Sequence, residues 1–356
     1  MKKNNLYVDI HVIQTVPASN LNRDDTGSPK TCIYGGVTRA RVSSQAWKRA
    51  VRLAFKDMLP EEELGIRTKK IVGLVAEQIR MIDSALSEEE SEKMAVNALT
   101  NAGLKVKNDK IGTDALLFMS HKQAQALAEL AVNGEKDKKA YKAALAKEPS
   151  VDMALFGRMI AADPSLNYDA ACQVAHAVST HAVETEYDYF TAVDDMGDED
   201  SAGAGHLGVN EFNSSTLYRY ATVNCMELFR SLGNATPEVV EAFAKAFIMS
   251  MPTGKQNSYA NDTLPSGVYI AVRTDRPVSL VPAFEKPIHP SDDGFERHSL
   301  NEMAKYAKKV SDYAEEPSAV FVIGEELREL GEPKKLKAIL TELKDVVAAQ
   351  LSAGGC

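Results

Sequence analysis

Residues 35–49 read GGVTRARVSSQAWKR, and this stretch carries the clearest local structure signals in the chain. The two glycines are typical of the end of a loop, and the residues Val37–Val42 that follow predict a β-strand. Ser43 and Ser44 are good N-cap residues, so a helix is expected from there to about Met58. The stretch therefore predicts a strand that leads directly into a capped helix.

The predicted helix has one apolar face and one basic face. Trp47 falls among the apolar positions, which recur at helical spacing, and is therefore expected in the core rather than as a base-stacking platform. Gln45, Lys48 and Arg49 fall on the opposite face. A helix N-terminus carries unpaired N–H groups and the positive end of the helix dipole. The end of the helix at Ser43 and Ser44 is therefore expected to bind an anion such as phosphate.

Charge is distributed unevenly along the chain. Residues 23–56 contain eight Lys or Arg against two acids, whereas the whole chain has a formal net charge of −9. Such segregation favours a polyanionic partner, although a solvated basic face is the plain alternative. Residues 184–211 show the opposite bias, with nine acids and no Lys or Arg.

Composition narrows the class of protein. The 356 residues are 44% hydrophobic and 26% charged, which is ordinary for a globular protein of two or three domains. No apolar run has the length of a membrane span and the first residues lack a signal-peptide core, so we expect a cytoplasmic protein with no membrane partner. The four cysteines and seven histidines lack disulfide or zinc spacing, so no metal and no cofactor are expected.

Periodicity predicts an α+β fold with an antiparallel sheet. The segment from Pro60 to about Lys147 is rich in Ala, Leu, Glu and Lys, with helical periodicity in Ile66–Leu86 and Ala115–Leu130, and forms a separate helical insert. Outside it, strands are predicted at Leu6–Val16, Val151–Met159, Thr216–Val223 and Gly267–Arg273, and helices at Ala170–His181, Thr236–Met251 and Pro333–Leu351.

Two short motifs suggest other activities. Gly203–Gly208 matches G-x-G-x-x-G, but it follows an acidic run instead of an apolar strand, which favours a loop over a dinucleotide site. Asp24 and Asp25 could hold Mg²⁺ and activate a water, so a metal-dependent RNA nuclease is the alternative function. Their plain interpretation is a turn cap or a pair with Arg23. A protein-interaction domain that binds no nucleic acid is the third hypothesis.

Ordered blocks over most of the chain resemble the backbone subunit of the type I-E CRISPR Cascade complex, the CasC-type protein that assembles along guide RNA. The helical insert and the C-terminal third match this family less well. The blocks are Leu21–Asp25, Gly35–Gln45 with Lys48 and Arg49, Asp152–Met159, Ala175–Ala177 with Thr180 and His181, Phe190–Asp195, Ala204–Gly208, Glu211 and Phe212, Tyr218–Ala221, and Gly254–Gln256.

The resemblance implies an RRM-like, that is ferredoxin-like, palm with an antiparallel sheet, formed by residues 1–58 and 151–356. It implies a helical finger domain at residues 59–150 and a protruding thumb hairpin at residues 184–213. The implied partners are CRISPR RNA, target DNA, further copies of the chain stacked head to tail and the other Cascade subunits. Members of this family bind RNA and do not cut it, so an enzyme is not expected.

The resemblance also assigns roles to individual residues. Three groups follow from it: contacts to the RNA, a thumb wedge that displaces a base, and contacts to target DNA. The RNA contacts are Arg23, Lys30, Arg41, Ser43, Gln45, Lys48, Arg49, Arg158, Met159, Lys255 and Gln256, of which Met159 supplies an apolar contact to a displaced base. The wedge is Phe190, Thr191, Val193 and His206. The DNA contacts are Lys136, Lys138, Lys139 and Lys142.

Two features depart from ordinary RNA-binding patterns. No RNP1-like run is present, so RNA binding would not use the aromatic stacking of common RRM domains. The implied thumb is also strongly acidic, which is unfavourable for a segment that crosses RNA. Our hypothesis is that its acids face basic groups of the adjacent copy and steer assembly; these acids are Glu184, Glu186, Asp188, Asp194 and Asp195.

Overall fold

The computed structural model describes residues 5–106, 112–113, 116–161, 163–192 and 206–353. The chain divides into two compact units. Unit 1 comprises Met1–Val51, Val174–Thr222 and Phe243–Val346, and unit 2 comprises Arg52–Gln173, Val223–Ala242 and Val347–Cys356. The three-part division into palm, finger and thumb stays a prediction.

The described part of the chain contains the following strands and helices. The strands are β1 (Tyr7–Ser19), β2 (Thr31–Tyr34), β3 (Val37–Val42), β4 (Gly65–Thr68), β5 (Leu117–Ser120), β6 (Cys172–Val174), β7 (Ala177–Ser179), β8 (Glu186–Ala192), β9 (His206–Asn224), β10 (Gly267–Arg273) and β11 (Ala319–Ile323). The helices are α1 (Ser44–Ala54), α2 (Ile71–Ile82), α3 (Glu88–Asn101), α4 (His121–Val132), α5 (Lys138–Ala146), α6 (Val151–Phe156), α7 (Cys225–Leu232), α8 (Thr236–Met249), α9 (Gln256–Tyr259), α10 (Glu296–Val310) and α11 (Leu336–Ala353). None of these helices is long and apolar enough to cross a membrane.

Unit 1 is built on a sheet in which seven strands follow the order β11-β10-β1-β9-β7-β3-β2. β10 pairs antiparallel with β1 and with β11, and β3 pairs antiparallel with β2 and with β7. All seven residues of β10 are buried, which agrees with its apolar sequence from Gly267 to Val272. The prediction of an α+β fold with an antiparallel sheet is confirmed, and the Gly267–Arg273 strand has the predicted bounds.

Apolar clusters of described residues pack against the sheet of unit 1. In the first, Leu300 and Met303 of α10 pack with Ile13 and Tyr269 from the sheet. In the second, Trp47 of α1 packs with Val16, Val42 and Leu217. Trp47 is 1% exposed, so the prediction that it belongs to the core is confirmed.

Unit 2 contains a helical core formed by α2, α3, α4 and α5, whose buried residues make one apolar cluster. The starts of α3 and α4 are fixed by Ser87 and Ser120, each of which forms a capping box with the residue three positions later. Helical periodicity was a correct signal here, but the predicted helices Ile66–Leu86 and Ala115–Leu130 begin too early. Their first residues form the antiparallel pair β4 and β5 instead.

Two predictions of element type are wrong. Val151–Met159 was predicted as a strand, but it begins with the helix α6, which ends where Gly157 takes φ +78°. A short apolar run does not distinguish a strand from a buried helix, and the Asp152 carboxylate fixes the first turn by accepting from Gly65 N and Ser150 Oγ. Ala170–His181 was predicted as a helix, but it contains β6 and β7 because β7 is paired on both sides, with β3 and with β9.

Candidate nucleic-acid interface

The turn from β3 into α1 is organised by Ser43. Its hydroxyl and its carbonyl both accept from the backbone N–H of Ala46, as expected of an N-cap residue. Its own N–H donates to Asn22 Oδ1 at 2.9 Å, which ties the loop before β2 to the start of the helix. The predicted strand, the cap and the start of the helix are therefore confirmed, although α1 ends at Ala54 and a 3-10 turn follows at Phe55–Asp57, before the predicted end at about Met58. The role of Ser43 in RNA binding stays a prediction.

Three basic side chains surround this turn, namely Lys30, Arg41 and His176. Arg41, on β3, is half-buried, and its Nε donates to the carbonyl of Thr31 at 3.1 Å. His176, between β6 and β7, is exposed and accepts the backbone N–H of Ser44 on Nδ1 at 3.0 Å. Partial burial, with Arg41 and Lys30 close enough to repel a second positive charge, lowers the pKa of His176. A neutral His176 that accepts on Nδ1 carries its proton on Nε2, so it presents a hydrogen-bond donor beside two cations.

The helix end differs from the prediction in one respect. The sequence predicts unpaired N–H groups there, but two of them have protein partners. The Ser44 N–H donates to His176 and the Ala46 N–H donates to Ser43. Positive charge at the turn is therefore supplied mainly by side chains. Gln45 and Arg49 are both exposed on α1. Lys48 is half-buried on the same helix.

The loop between β1 and β2 is a folded turn. Asp24 Oδ1 accepts from the N–H and the hydroxyl of Thr26 and from the N–H of Ser28, at 2.7–3.0 Å. The Thr26 hydroxyl is the largest cause of the lowered pKa of Asp24. Asp24 therefore caps the turn, while Arg23 and Asp25 are exposed. Within the described ranges, no group of three or more His, Cys, Asp or Glu side chains is placed to hold a metal ion.

Lys255 and Gln256 lie in unit 1, at the start of α9. Lys255 Nζ donates to Asn210 Oδ1 on β9 at 2.8 Å. Gly254 brings this segment against the β1–β2 loop, because a Cβ there would lie only 2.3 Å from the carbonyl oxygen of Leu21. Gly254 is thus needed for close packing. Lys255 is hydrogen-bonded to β9, the strand that also pairs with β8.

β8 and the first part of β9 form a two-stranded hairpin, which we call the arm (residues 186–192 and 206–212). Phe190 lies opposite Gly208, where a Cβ would come within 2.3 Å of its ring. Thr191 lies opposite Leu207. Val193 lies outside the described residues, and His206 begins β9, although its side chain is also outside them. Of the thumb acids, Glu184, Glu186 and Asp188 are exposed, while Asp194 and Asp195 lie outside the described residues.

Arg158 and Met159 are adjacent in unit 2 but have opposite environments. Arg158 is 5% exposed, and its five guanidinium N–H groups make five hydrogen bonds to the carbonyls of Phe118, Leu145 and Leu166 and to Gln123 Oε1. Burial lowers its pKa to about 10. Met159 is 82% exposed. The structure thus gives Arg158 an internal structural role and leaves Met159 accessible to a ligand.

The lysine cluster of unit 2 lies at and before α5. Lys136, Lys138 and Lys139 are exposed. Lys142 differs, since its Nζ lies 2.6 Å from Asp163 Oδ2, and this contact is the largest cause of the lowered pKa of Asp163, about 2. Three of the four predicted DNA contacts are therefore available, and the fourth has a carboxylate partner.

Sequence reasoning missed two residues near the interface. His176 appeared only within a block of the resemblance, and its contact with Ser44 depends on the pairing of β7 beside β3. Asn213, on β9, is 5% exposed and lines a small cleft with Lys30 and Arg41. Neither residue could be assigned from its local sequence, because strand pairing in the sheet brings both of them to the site.

Comparison with known proteins gives a consistent family assignment. The chain is similar to a chain of a "CRISPR RNA-guided surveillance complex, pre-nicking", with 33% identity, a TM-score of 0.83, and coverage of 97% of this chain and 100% of that one. It is also similar to a chain of a "CRISPR RNA-guided surveillance complex", with 29% identity, a TM-score of 0.72, and coverage of 94% and 99%. No curated protein matches it. The sequence profile of the CT1975-like protein family matches residues 8–349, and the chain therefore belongs to this family of CRISPR-associated proteins.

Proposed function

We propose that this protein is the backbone subunit of a type I-E CRISPR surveillance complex, or Cascade. In this proposal it binds CRISPR RNA, assembles head to tail with further copies and with other Cascade subunits, and presents the guide for pairing with target DNA. The observation that carries the proposal is the set of accessible cations around the β3–α1 turn, which includes Lys30, Arg41 and Arg49. The similarity to subunits of CRISPR RNA-guided surveillance complexes supports a Cascade-type role.

The chemistry of these groups suits a guide of changing sequence. Lys and Arg side chains bind phosphates, which are the same at every nucleotide, so the grip does not depend on base identity. Target sequence is then read by base pairing with the guide. In the same proposal, residues 1–58 and 151–356 form the RRM-like palm, residues 59–150 the finger domain and residues 184–213 the thumb.

The acidic arm is assigned to contact between copies. Its exposed Glu186 and Asp188 would repel a phosphate backbone, so we assign these charges to basic groups of the neighbouring copy. Glu186→Lys with Asp188→Lys should weaken assembly on RNA, measured as the length distribution of complexes by sedimentation. Assembly at wild-type strength would contradict this part of the proposal.

Lys136, Lys138 and Lys139 are assigned to target DNA. Substituting all three by Ala should lower the affinity of the assembled complex for DNA while the affinity for guide RNA stays unchanged. Lys142→Ala is not a clean test, because it also breaks the contact with Asp163.

The central test uses Lys48 and Arg49 on α1. Lys48→Ala with Arg49→Ala should weaken binding equally for all guide sequences and reduce the slope of log affinity against log salt by about 1.4, the value for two lost contacts to single-stranded nucleic acid. A matched control is Lys305→Ala with Lys309→Ala, which removes two exposed charges from α10 and should leave the slope unchanged. A loss that depends on guide sequence would contradict the proposal.

A binding subunit should not cut its RNA. Purified protein incubated with RNA and Mg²⁺ should leave the RNA intact. Cleavage that disappears in Asp24→Asn with Asp25→Asn would instead favour the nuclease alternative.

A further inference from the structure

A groove in unit 1 lies between α10 and the residues that follow β10, and we call it the α10 groove. Its volume is about 290 Å³. It is lined by two cations, Arg276 and Lys309, by two tyrosines, Tyr306 and Tyr313, and by apolar residues. Sites for small ligands begin at about 300 Å³, so the groove has room for one nucleotide-sized group.

Tyr313 gives the groove an open aromatic surface. Its backbone N–H donates to the Val310 carbonyl at 2.9 Å, which fixes the turn after α10, while the residue is 86% exposed. Tyr306 is half-buried and packs against the apolar cluster of α10 and the sheet. An aromatic ring that is held beside a groove and open to solvent is suited to stacking on the flat face of a base.

The two cations of the groove are available to a ligand. Arg276 and Lys309 are exposed, and neither forms an ion pair within the part of the chain that the structure describes. Lys305 and Lys308, on the same helix as Lys309, do not line the groove, and each is paired with a glutamate. The charges inside the groove are therefore the ones left without a protein partner, and they favour an anionic group such as phosphate.

Two acids are next to groove residues in the sequence but do not line the groove. Asp275 is engaged elsewhere, because its Oδ1 lies 3.5 Å from Arg273 Nε and its Oδ2 accepts from the Glu315 N–H. Asp312 is exposed. Among the described residues the groove lining thus contains two cations and no acid.

The α10 groove and the β3–α1 turn lie on opposite faces of the sheet. Tyr218 and Leu217 are adjacent on β9, so their side chains point to opposite faces. Tyr218 belongs to the cluster that contains α10, and Val310 of the groove packs against this cluster. Leu217 packs with Trp47 of α1. The sheet therefore separates a guide strand held at the turn from the groove of the same copy, and the groove is open to a different strand.

We propose that the α10 groove binds the single strand of target DNA that guide pairing displaces, with one base on Tyr313 and its phosphate on Arg276 and Lys309. The inference rests on the proposed function, because a strand is displaced only when the guide pairs with its complement. Phosphate contacts and stacking on an aromatic ring are both indifferent to sequence, as a strand of changing sequence requires. An acidic peptide would use the cations but not the ring.

The test uses the full chain saturated with guide RNA, so that the β3–α1 turn is occupied. The probe is a fluorescein-labelled single strand of DNA that is not complementary to the guide, and binding is followed by anisotropy. Tyr313→Ala should lower DNA affinity by about tenfold, the value of one lost stacked base. It should leave the salt dependence unchanged, because the ring carries no charge. Tyr313→Phe keeps the ring and should bind DNA as the wild type does.

The cations have a different signature. Arg276→Ala with Lys309→Ala should reduce the slope of log affinity against log salt by about 1.4, the value for two lost contacts to a single strand. The matched control is Lys305→Ala with Lys308→Ala, which removes the same charge outside the groove and should leave the slope unchanged. Guide affinity should be the same in all of these variants, because the guide is held on the opposite face of the sheet.

The possible results separate the two levels of the argument. Guide-loaded wild-type protein that binds no DNA, or DNA affinity that is unchanged by both groove variants, would overturn this inference and leave guide binding intact. A change of slope without any effect of Tyr313→Ala would overturn it too, since the groove would then be a general anion contact. Normal DNA binding with failed assembly of other Cascade subunits would make the groove a protein contact instead. Failure of the wild-type protein to bind guide RNA would contradict the proposed function itself.

Discussion

Substitution of Arg158 by Ala separates a structural role from an RNA-binding role. The change removes the Arg158 donor from the buried carbonyls of Phe118, Leu145 and Leu166, while Gln123 Oε1 still accepts from the Ser120 N–H. At roughly 2 kcal/mol for each of the three unsatisfied carbonyls, the loss is about 6 kcal/mol. The variant also avoids burying a charge, and the lowering of the Arg158 pKa from 12.5 to about 10 corresponds to roughly 3 kcal/mol. A net destabilisation of about 3 kcal/mol is expected.

The assay is thermal unfolding followed by circular dichroism, together with RNA binding at low temperature. For a unit of this size a loss of about 3 kcal/mol lowers Tm by about 6–12 °C. RNA affinity of the folded variant should be unchanged, since no Arg158 N–H is left over for phosphate. Met159→Ala is the matched neighbour: with a side chain 82% exposed, it should leave Tm unchanged within about 2 °C and is the variant expected to affect RNA. An Arg158→Ala protein with wild-type Tm and weakened RNA binding would refute the reasoning.

Three further predictions follow from buried or paired groups. Arg219→Met should change the stability of unit 1 by less than about 1 kcal/mol, because the loss of two hydrogen bonds, to Gln14 Oε1 and Phe247 O, is offset by removing a buried charge whose pKa burial lowers to about 9. The guanidinium lies 3.8 Å from the ring centroid of Trp47, so urea unfolding followed by the fluorescence of this single tryptophan measures the change. Burial raises the pKa of Asp9 to about 6, so this carboxyl ionises at a lower pH in the unfolded chain than in the folded one. The free energy of unfolding should therefore fall by about 3 kcal/mol as pH rises from about 4 to 6. The fall should be absent from Asp9→Asn. His176→Asn should retain α1 stability and His176→Leu should lower it, because only Asn offers an acceptor to the Ser44 N–H; helix content and Tm distinguish the two.

The elements that were predictable from sequence are those whose signals are local. The strand Gly267–Arg273 is apolar up to Val272, lies between turn residues and has the predicted bounds. The β3–α1 transition follows from the Gly35–Gly36 turn and the Ser43 cap. Where pairing partners lie far apart in sequence, local reasoning failed. β7 is a strand because Val178 lies between Arg41 and Tyr218, and no property of residues 170–181 alone reveals these two neighbours.

The candidate site was predictable in its charge but not in its detailed chemistry. The sequence marks Lys30, Arg41 and Arg49 as basic residues close in the chain, and the structure leaves them half-buried or exposed. The sequence does not show that His176 accepts the N–H of Ser44 at the start of α1, which was expected to be unpaired. The sequence also does not show that Asn213 lines a cleft with Lys30 and Arg41, because that placement depends on β9 running from the arm into the sheet.

Charge counting from sequence also overstated the basic patch, and the reason is general. Of the eight Lys and Arg in residues 23–56, Arg39 is fully buried and donates to the carbonyls of Tyr34, Ser179 and Phe284. Arg52 is paired with the buried Asp152 carboxylate at 2.8 Å. Both side chains serve the fold, as Arg158 does, because a guanidinium can satisfy several buried acceptors at once. Binding measurements on Arg39→Ala or Arg52→Ala would therefore report folding rather than RNA contact.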